Sequence, residues 1–152
     1  MEKKANNEDK IMWKVMIVDD EKLICKLVQA LVEWDKLGMQ MAAQAENAIQ
    51  ALDMLQQYRP DILITDIRMP GMDGLELIKN AKKICPELEI IIISGYAHFE
   101  YARNALSLGV GNYLLKPIKQ DELNETLRKI GERLDAKKSA QGMEMAERRV
   151  SE

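Results

Sequence analysis

At 152 residues the chain fits one domain with a real core plus a short extension. Hydrophobic residues make up 47% and charged residues 31%, and the formal net charge of −3 leaves no basic excess to coat a nucleic-acid surface. No apolar run approaches the roughly 20 residues that span a bilayer, and Met1 to Trp13 lacks the apolar core of a secretion signal.

Met1 to Lys10 are polar and charged, without period, which predicts a flexible arm over residues 1–12. Val15-Met16-Ile17-Val18 is a first strand that ends abruptly in Asp19-Asp20-Glu21. Ile24, Leu27, Val28, Leu31 and Val32 then recur at helical spacing, up to a stop at Gly38. Met39 to Ala45 is a weaker strand, followed by a second stripe at Ala48, Leu52 and Leu55 and a joint at Pro60. Ile62-Leu63-Ile64-Thr65 ends in Asp66, and Leu75, Ile78 and Ala81 form the third stripe. Ile90 to Ile93 ends in Ser94-Gly95, and Ala102, Ala105 and Leu106 give the fourth stripe, with a turn at Gly109. Tyr113-Leu114-Leu115 ends in Lys116-Pro117, before the cleanest stripe at Leu123, Leu127, Ile130 and Leu134.

Short, near-continuous apolar runs are the mark of strands buried on both faces of a parallel sheet. Five strand–helix units in succession predict an α/β domain over residues 13–134, a doubly wound five-stranded parallel sheet with helices on both faces. Gly131 inside the last helix costs roughly 1 kcal/mol relative to alanine, so that helix depends on packing. Residues 135–152 are charged and without a sustained heptad; they either prolong the last helix or fray from it as a tail.

Every unusual polar residue falls at the same end of a strand, where open parallel sheets bind their ligands. Asp19 and Asp20 follow the first strand, Asp66 the third, Ser94 the fourth and Lys116 the fifth. Three converging carboxylates repel one another and would otherwise take up protons. A hard divalent cation removes the conflict; Mg²⁺ suits a site of oxygens that must leave room for phosphate. Lys116 is then a compact positive charge and Ser94 a hydroxyl donor for phosphoryl oxygens. Asp66, on a different strand from the aspartate pair, is the carboxylate best placed as a nucleophile, and carboxylates do form aspartyl phosphates.

Val18-Asp19-Asp20-Glu21, Asp66-Ile67-Arg68-Met69-Pro70-Gly71-Met72-Asp73-Gly74, Ser94-Gly95 and Lys116-Pro117 together resemble the response-regulator receiver family of bacterial two-component systems. The resemblance covers about Lys14 to Leu134 and implies the flavodoxin-like strand order 2-1-3-4-5. It implies that a sensor histidine kinase phosphorylates Asp66, with Mg²⁺ held by Asp19, Asp20, Asp66 and the backbone carbonyl of Arg68. Ser94 and Tyr113 would be the switch pair, and the Lys116–Pro117 bond would be cis. Such a domain is a switch in signal transduction and not an enzyme, beyond catalysing its own aspartyl phosphorylation and dephosphorylation. The finer sequence, including Trp13-Lys14 and Ser94-Gly95-Tyr96, resembles receivers that carry an AraC-type DNA-binding domain downstream. That module needs about another hundred residues. The expectation is a cytoplasmic receiver cut from a transcription regulator; the alternative is a stand-alone receiver acting by protein–protein contact or in a phosphorelay. Homodimerisation is compatible with either, and direct nucleic-acid binding by this chain is not expected.

Plainer readings exist for each residue. Asp19 and Asp20 could cap the following helix, Asp66 and Ser94 could be turn residues, Lys116 a surface lysine and Tyr113 a core aromatic. His98 reads as a loop or helix-start residue, and Cys25 and Cys85 as reduced thiols outside any metal or redox spacing. The convergence of the polar set outweighs these one-residue readings. A phosphatase using an aspartate nucleophile is disfavoured because Arg68 stands where a second acid would be needed; a nucleotide-binding enzyme is disfavoured because no glycine-rich loop follows the first strand. A phosphate-independent interaction module is the third reading, and the presence of every expected acidic residue weighs against it.

Overall fold

Aliphatic side chains that alternate to both sides of a strand need a layer of helices over each sheet face. A computed structural model, describing residues 12–95, 103–105 and 107–151 with side-chain environments through 143, meets that requirement. The strands β1 (Trp13–Val18), β2 (Met39–Ala45), β3 (Ile62–Asp66), β4 (Glu89–Ser94) and β5 (Asn112–Leu115) form one all-parallel sheet in the order β2-β1-β3-β4-β5. Around it lie α1 (Lys22–Leu31), α2 (Trp34–Leu37), α3 (Ala48–Tyr58), α4 (Gly74–Ile84) and α5 (Gln120–Ser151); residues 103–105 and 107 are also helical. The fold class and flavodoxin-like order are those the sequence led us to expect. The expectations for residues 1–11, Tyr96 and His98, and the fourth stripe's Ala102 and Leu106, lie outside the described residues.

The period of two sorts the core into two halves. Val15, Ile17, Ile62, Ile64, Ile91 and Ile93 pack with Cys25 and Val28 of α1 and with Leu123, Leu127, Ile130 and Leu134 of α5. Met16, Leu63, Ile90 and Ile92 pack on the other face with Ala48, Ala51 and Leu55 of α3 and Leu77, Ile78 and Ala81 of α4. Each of the larger aliphatic chains contributes about 1.5–3 kcal/mol on burial. The weak sequence signal of β2 has a cause: it is an edge strand, only partly buried between Met39 and Ala45, and its register with β1 shifts between Val15 and Met16.

Val32 stands outside the first helix although it continues the stripe. Asn124 of α5 explains the stop. Its buried amide donates from Nδ2 to the Leu31 carbonyl (2.8 Å) and accepts at Oδ1 from the Glu33 backbone N–H (2.9 Å). The chain then forms the one-turn α2, which periodicity could not reveal, and leaves it through Gly38 at φ 68°. α5 runs 32 residues without a break at Leu134, about 48 Å at 1.5 Å per residue. Gly131 lies where α5 passes closely over the sheet edge, since a Cβ there would stand 3.3 Å from Cε of Met39. Beyond Leu134, Asp135 accepts from the Trp13 indole N–H (2.9 Å) and Lys137 pairs with Glu87 (3.0 Å). No described helix is long and apolar enough to cross a membrane.

Replacing Asn124 by alanine strands the Glu33 N–H and leaves the Leu31 carbonyl with only the Gln120 amide, at 3.2 Å. The expected loss is about 1–2 kcal/mol of unfolding free energy in a urea titration; a loss below roughly 0.5 kcal/mol would show that water replaces the amide.

Candidate functional site

Parallel register brings the strand ends to one level. Val18 of β1 is opposite Thr65 of β3, Asp66 is opposite Ile93 of β4, and Ser94 is opposite Leu115 of β5. The residues reached next along each strand therefore surround Asp66: Asp19 and Asp20 from β1, Ser94 from β4, and Lys116 from β5. One carboxylate oxygen each from Asp19, Asp20 and Asp66 lie within 4.8 Å of one another. The Lys116 ammonium stands 3.1 Å from Oδ2 of Asp66 and 3.9 Å from Oδ2 of Asp19. All four residues that the sequence singled out as acids and cation are brought together.

Each group is aimed by its own backbone. Oδ1 of Asp66 accepts from the N–H of Ile67 at 2.6 Å and, more loosely, from that of Arg68 at 3.4 Å, which leaves Oδ2 for Lys116. Arg68 is thus drawn to the site through its main chain. Asp19 accepts at Oδ1 from the Glu21 N–H (2.9 Å), tightening the turn after β1. Neither Asp19 nor Asp20 caps α1: the cap position is Glu21, without a side-chain bond. Lys116 donates its backbone N–H to the Ser94 carbonyl (2.8 Å), and the Lys116–Pro117 bond is cis, as the resemblance implies.

Ser94 is fully buried at the end of β4. Tyr113 is the register partner of Ile92, so Ser94, two residues on, and Tyr113 lie on the same sheet face. The Tyr113 ring packs against the α3/α4 core, and its hydroxyl is buried with no hydrogen-bond partner among the described residues. A buried unpaired hydroxyl costs about 1–3 kcal/mol, which favours any rearrangement that satisfies it. Thr65 is a further site residue that the sequence reading passed over. Its buried hydroxyl donates to the Asp66 carbonyl at 2.8 Å. A polar residue inside an otherwise aliphatic strand was the available signal.

The electrostatics are those of crowded acids. Burial pushes the Asp19 carboxyl up to about 6, the Glu21 N–H opposes it, and the neighbouring charge of Asp66 adds to the rise. Burial alone would lower the Lys116 ammonium, but the hydrogen bond to Asp66, with the charges of Asp66, Asp19 and Glu21, holds it above its ordinary value. Lys116 therefore stays charged at neutral pH yet only partly balances the acids. The donor set, carboxylate oxygens beside one ammonium, fits a hard divalent cation and an incoming anion. Cys25, below the cluster, is an inert thiol: burial raises it to about 11.

Because the Asp19 carboxyl sits higher in the folded than in the unfolded chain, the fold binds more protons between about pH 4 and 6. In metal-free protein its contribution is favourable at low pH and is lost as pH rises through about 6. Asp19→Asn should accordingly stabilise the metal-free protein by about 1–3 kcal/mol at pH 8, with the difference closing toward pH 4. Denaturant titrations in chelator at the two pH values measure this; a pH-independent difference would reject it.

Residues 15–128 match the family described as the response regulator receiver domain. The chain is 40% identical over 119 residues to the uncharacterized transcriptional regulatory protein YesN of Bacillus subtilis, covering 78% of this chain and 32% of that protein. It is 32% identical over 135 residues to the transcriptional regulatory protein HptR of Staphylococcus aureus, covering 89% of this chain and 53% of the relative. The chain thus spans between a third and about half of these relatives' length. Among solved structures it is similar to the REC domain of AraT, a response regulator from Geobacillus stearothermophilus, with TM-score 0.81, 38% identity and coverage of 84% of this chain and 99% of that one. A two-component transcriptional regulator AraC from Clostridium phytofermentans gives TM-score 0.73 at 35% identity, covering 78% of this chain and 92% of that one. With the family matched over most of its length and the acidic cluster at the carboxyl edge of a β2-β1-β3-β4-β5 sheet, this chain belongs to the response regulator receiver domains.

Proposed function

We propose that this chain is a phosphorylation switch in which Asp66 accepts a phosphoryl group from a sensor histidine kinase. The observation that carries the reading is the meeting of three carboxylates within 4.8 Å, one of them bound by the Lys116 ammonium at 3.1 Å. In the reaction an Asp66 carboxylate oxygen forms a bond to phosphorus as the phosphorus–nitrogen bond to the donor imidazole breaks; the imidazole leaves and takes up a proton. Asp19, Asp20, Asp66 and the Arg68 carbonyl would hold Mg²⁺. When bound, the ion supplies charge neutralisation for the acids and the phosphoryl oxygens. Lys116 and Ser94 would bind two of those oxygens, the lysine exchanging part of its contact with Asp66 for the new negative charge.

The conformational output follows from the Ser94–Tyr113 pair. A hydroxyl drawn toward the phosphoryl group leaves space on its own sheet face, and the unsatisfied Tyr113 hydroxyl sits on that face. The phosphorylated form would reward one of two arrangements, shifting a preexisting equilibrium at the surface around β5 and α5. Receiver domains are signalling domains and not classical enzymes. We assign residues 13–134 to the receiver unit and residues 135–152 to its C-terminal extension. The output we favour is transcription regulation in the cytoplasm through a DNA-binding domain outside this chain; the relatives' names and greater length support that over a stand-alone receiver or a phosphorelay intermediate.

Two measurements test the assignment. Intact mass after incubation with Mg²⁺ and acetyl phosphate should show one phosphoryl adduct, abolished by chelator and absent from Asp66→Asn; an adduct that persists in Asp66→Asn would remove Asp66 from the role. Lys116→Ala takes away a cation 3.1 and 3.9 Å from two of the carboxylates. It should tighten Mg²⁺ binding up to about tenfold in calorimetry while greatly slowing phosphorylation, because the metal and the lysine compete for the same negative charge. Weaker Mg²⁺ binding in that variant would mean that the lysine organises the acids more than it opposes the ion.

A further inference from the structure

Asp66 is aimed by a peptide, and that peptide bears on the first residue of α4. Gly74 begins the helix, and its N–H donates to the Ile67 carbonyl at 2.7 Å. A Cβ built on Gly74 would lie 2.7 Å from the Asp66 carbonyl oxygen, 2.7 Å from the Ile67 Cα and 2.7 Å from the Ile67 carbonyl oxygen. All three are backbone atoms, so no side chain can swing aside. Gly74 is buried and needs no left-handed conformation; the glycine is there for closeness. The same peptide carries the Ile67 N–H that fixes Oδ1 of Asp66 at 2.6 Å. The Thr65 hydroxyl donates to the Asp66 carbonyl of that peptide at 2.8 Å. The helix end itself is anchored by Asp73, whose carboxylate accepts from the Glu76 N–H at 2.9 Å.

We propose that Gly74 is a positioning residue for the acceptor: its bare Cα lets the capped end of α4 press on the Asp66–Ile67 peptide and so fixes which way the Asp66 carboxylate points. This deepens the phosphoacceptor reading and rests on it for its consequence in rate, though not for the geometry. A methyl group at position 74 has to push α4 and the peptide apart. The Ile67 N–H then swings with the peptide, and Oδ1 loses its donor. Displacements of about 1 Å in a reacting group can cost on the order of a hundredfold in rate.

The test compares Gly74→Ala with Ala81→Gly, which disturbs the buried side of the same helix two turns away. Both are measured under conditions where each is folded. The first readout is the Ile67 amide resonance in metal-free ¹⁵N-labelled protein, and the second is the initial rate of phosphorylation by acetyl phosphate with Mg²⁺. The expected result is a displaced Ile67 amide and a rate lowered about 10- to 100-fold in Gly74→Ala, with Ala81→Gly within about twofold of wild type in rate and unmoved at Ile67. If Gly74→Ala does not fold, Asp73→Ala replaces it, since loss of the cap loosens the same helix end without adding bulk; the Ile67 amide should again move. An unmoved Ile67 amide in the variant that folds, or equal rate losses in it and Ala81→Gly, overturns the proposal. A wild-type protein that takes no phosphoryl group overturns the acceptor reading instead, and a displaced amide then still supports the positioning contact.

Discussion

Three carboxylates share one small volume with a single lysine, and much of the architecture serves to hold them there. Asp19 and Asp66 are nearly closed to solvent, Asp20 is exposed, and Lys116 is partly buried between them. Water would separate such charges at little cost; a sheet edge cannot. The raised Asp19 carboxyl records the strain directly, with burial as its larger cause and the Asp66 charge adding to it. A cluster of this kind reduces the stability of the fold and creates affinity for whatever neutralises it. Any change in charge at the cluster therefore changes the balance that the strands must tolerate.

The sheet can hold this cluster because its middle is dry and tightly packed on both faces. β3, β4 and the Val15–Val18 stretch of β1 are buried nearly throughout, and their side chains alternate between the α1/α5 layer and the α3/α4 layer. Their register fixes the level at which each strand releases its polar residue. A slip of one residue would turn Asp66 toward the opposite layer and carry every aliphatic neighbour with it. The hydrophobic pattern therefore sets the position of the acids as well as the stability of the fold. The two layers are tied to the site differently. α4 touches the Asp66–Ile67 backbone at Gly74, whereas α5 is joined to α1 by Asn124.

Much of this was legible in the chain itself. Four strands announced themselves as short apolar runs, and the helix stripe from Leu123 to Leu134 is buried at each of its four positions. Asp19, Asp20, Asp66, Ser94 and Lys116 could be named because each interrupts such a run at its carboxyl end. β2 was faint because an edge strand is wetted along one side and loses its continuous apolar signature. α1 ends at Leu31, short of the stop expected at Gly38, because the chain there is held by Asn124, some 91 positions from Glu33 in sequence. The one-turn α2 is too short to carry a period, and the bond from the Thr65 hydroxyl to the Asp66 carbonyl depends on a rotamer that the sequence does not specify.

The sequence by itself determined the layer architecture, the run of strands and helices, and the identity of the acids and the lysine, since these depend on periodicity and on where apolar runs end. Tertiary structure alone decided the distances that make those residues one site, which oxygen of Asp66 faces Lys116 and which faces the Ile67 N–H, the shift of the Asp19 carboxyl, and the bare approach of Gly74 to the Asp66–Ile67 peptide. The physical reason is range. Periodicity is a local property of the chain, whereas charge coupling and close packing act between residues brought together only by the order of the strands.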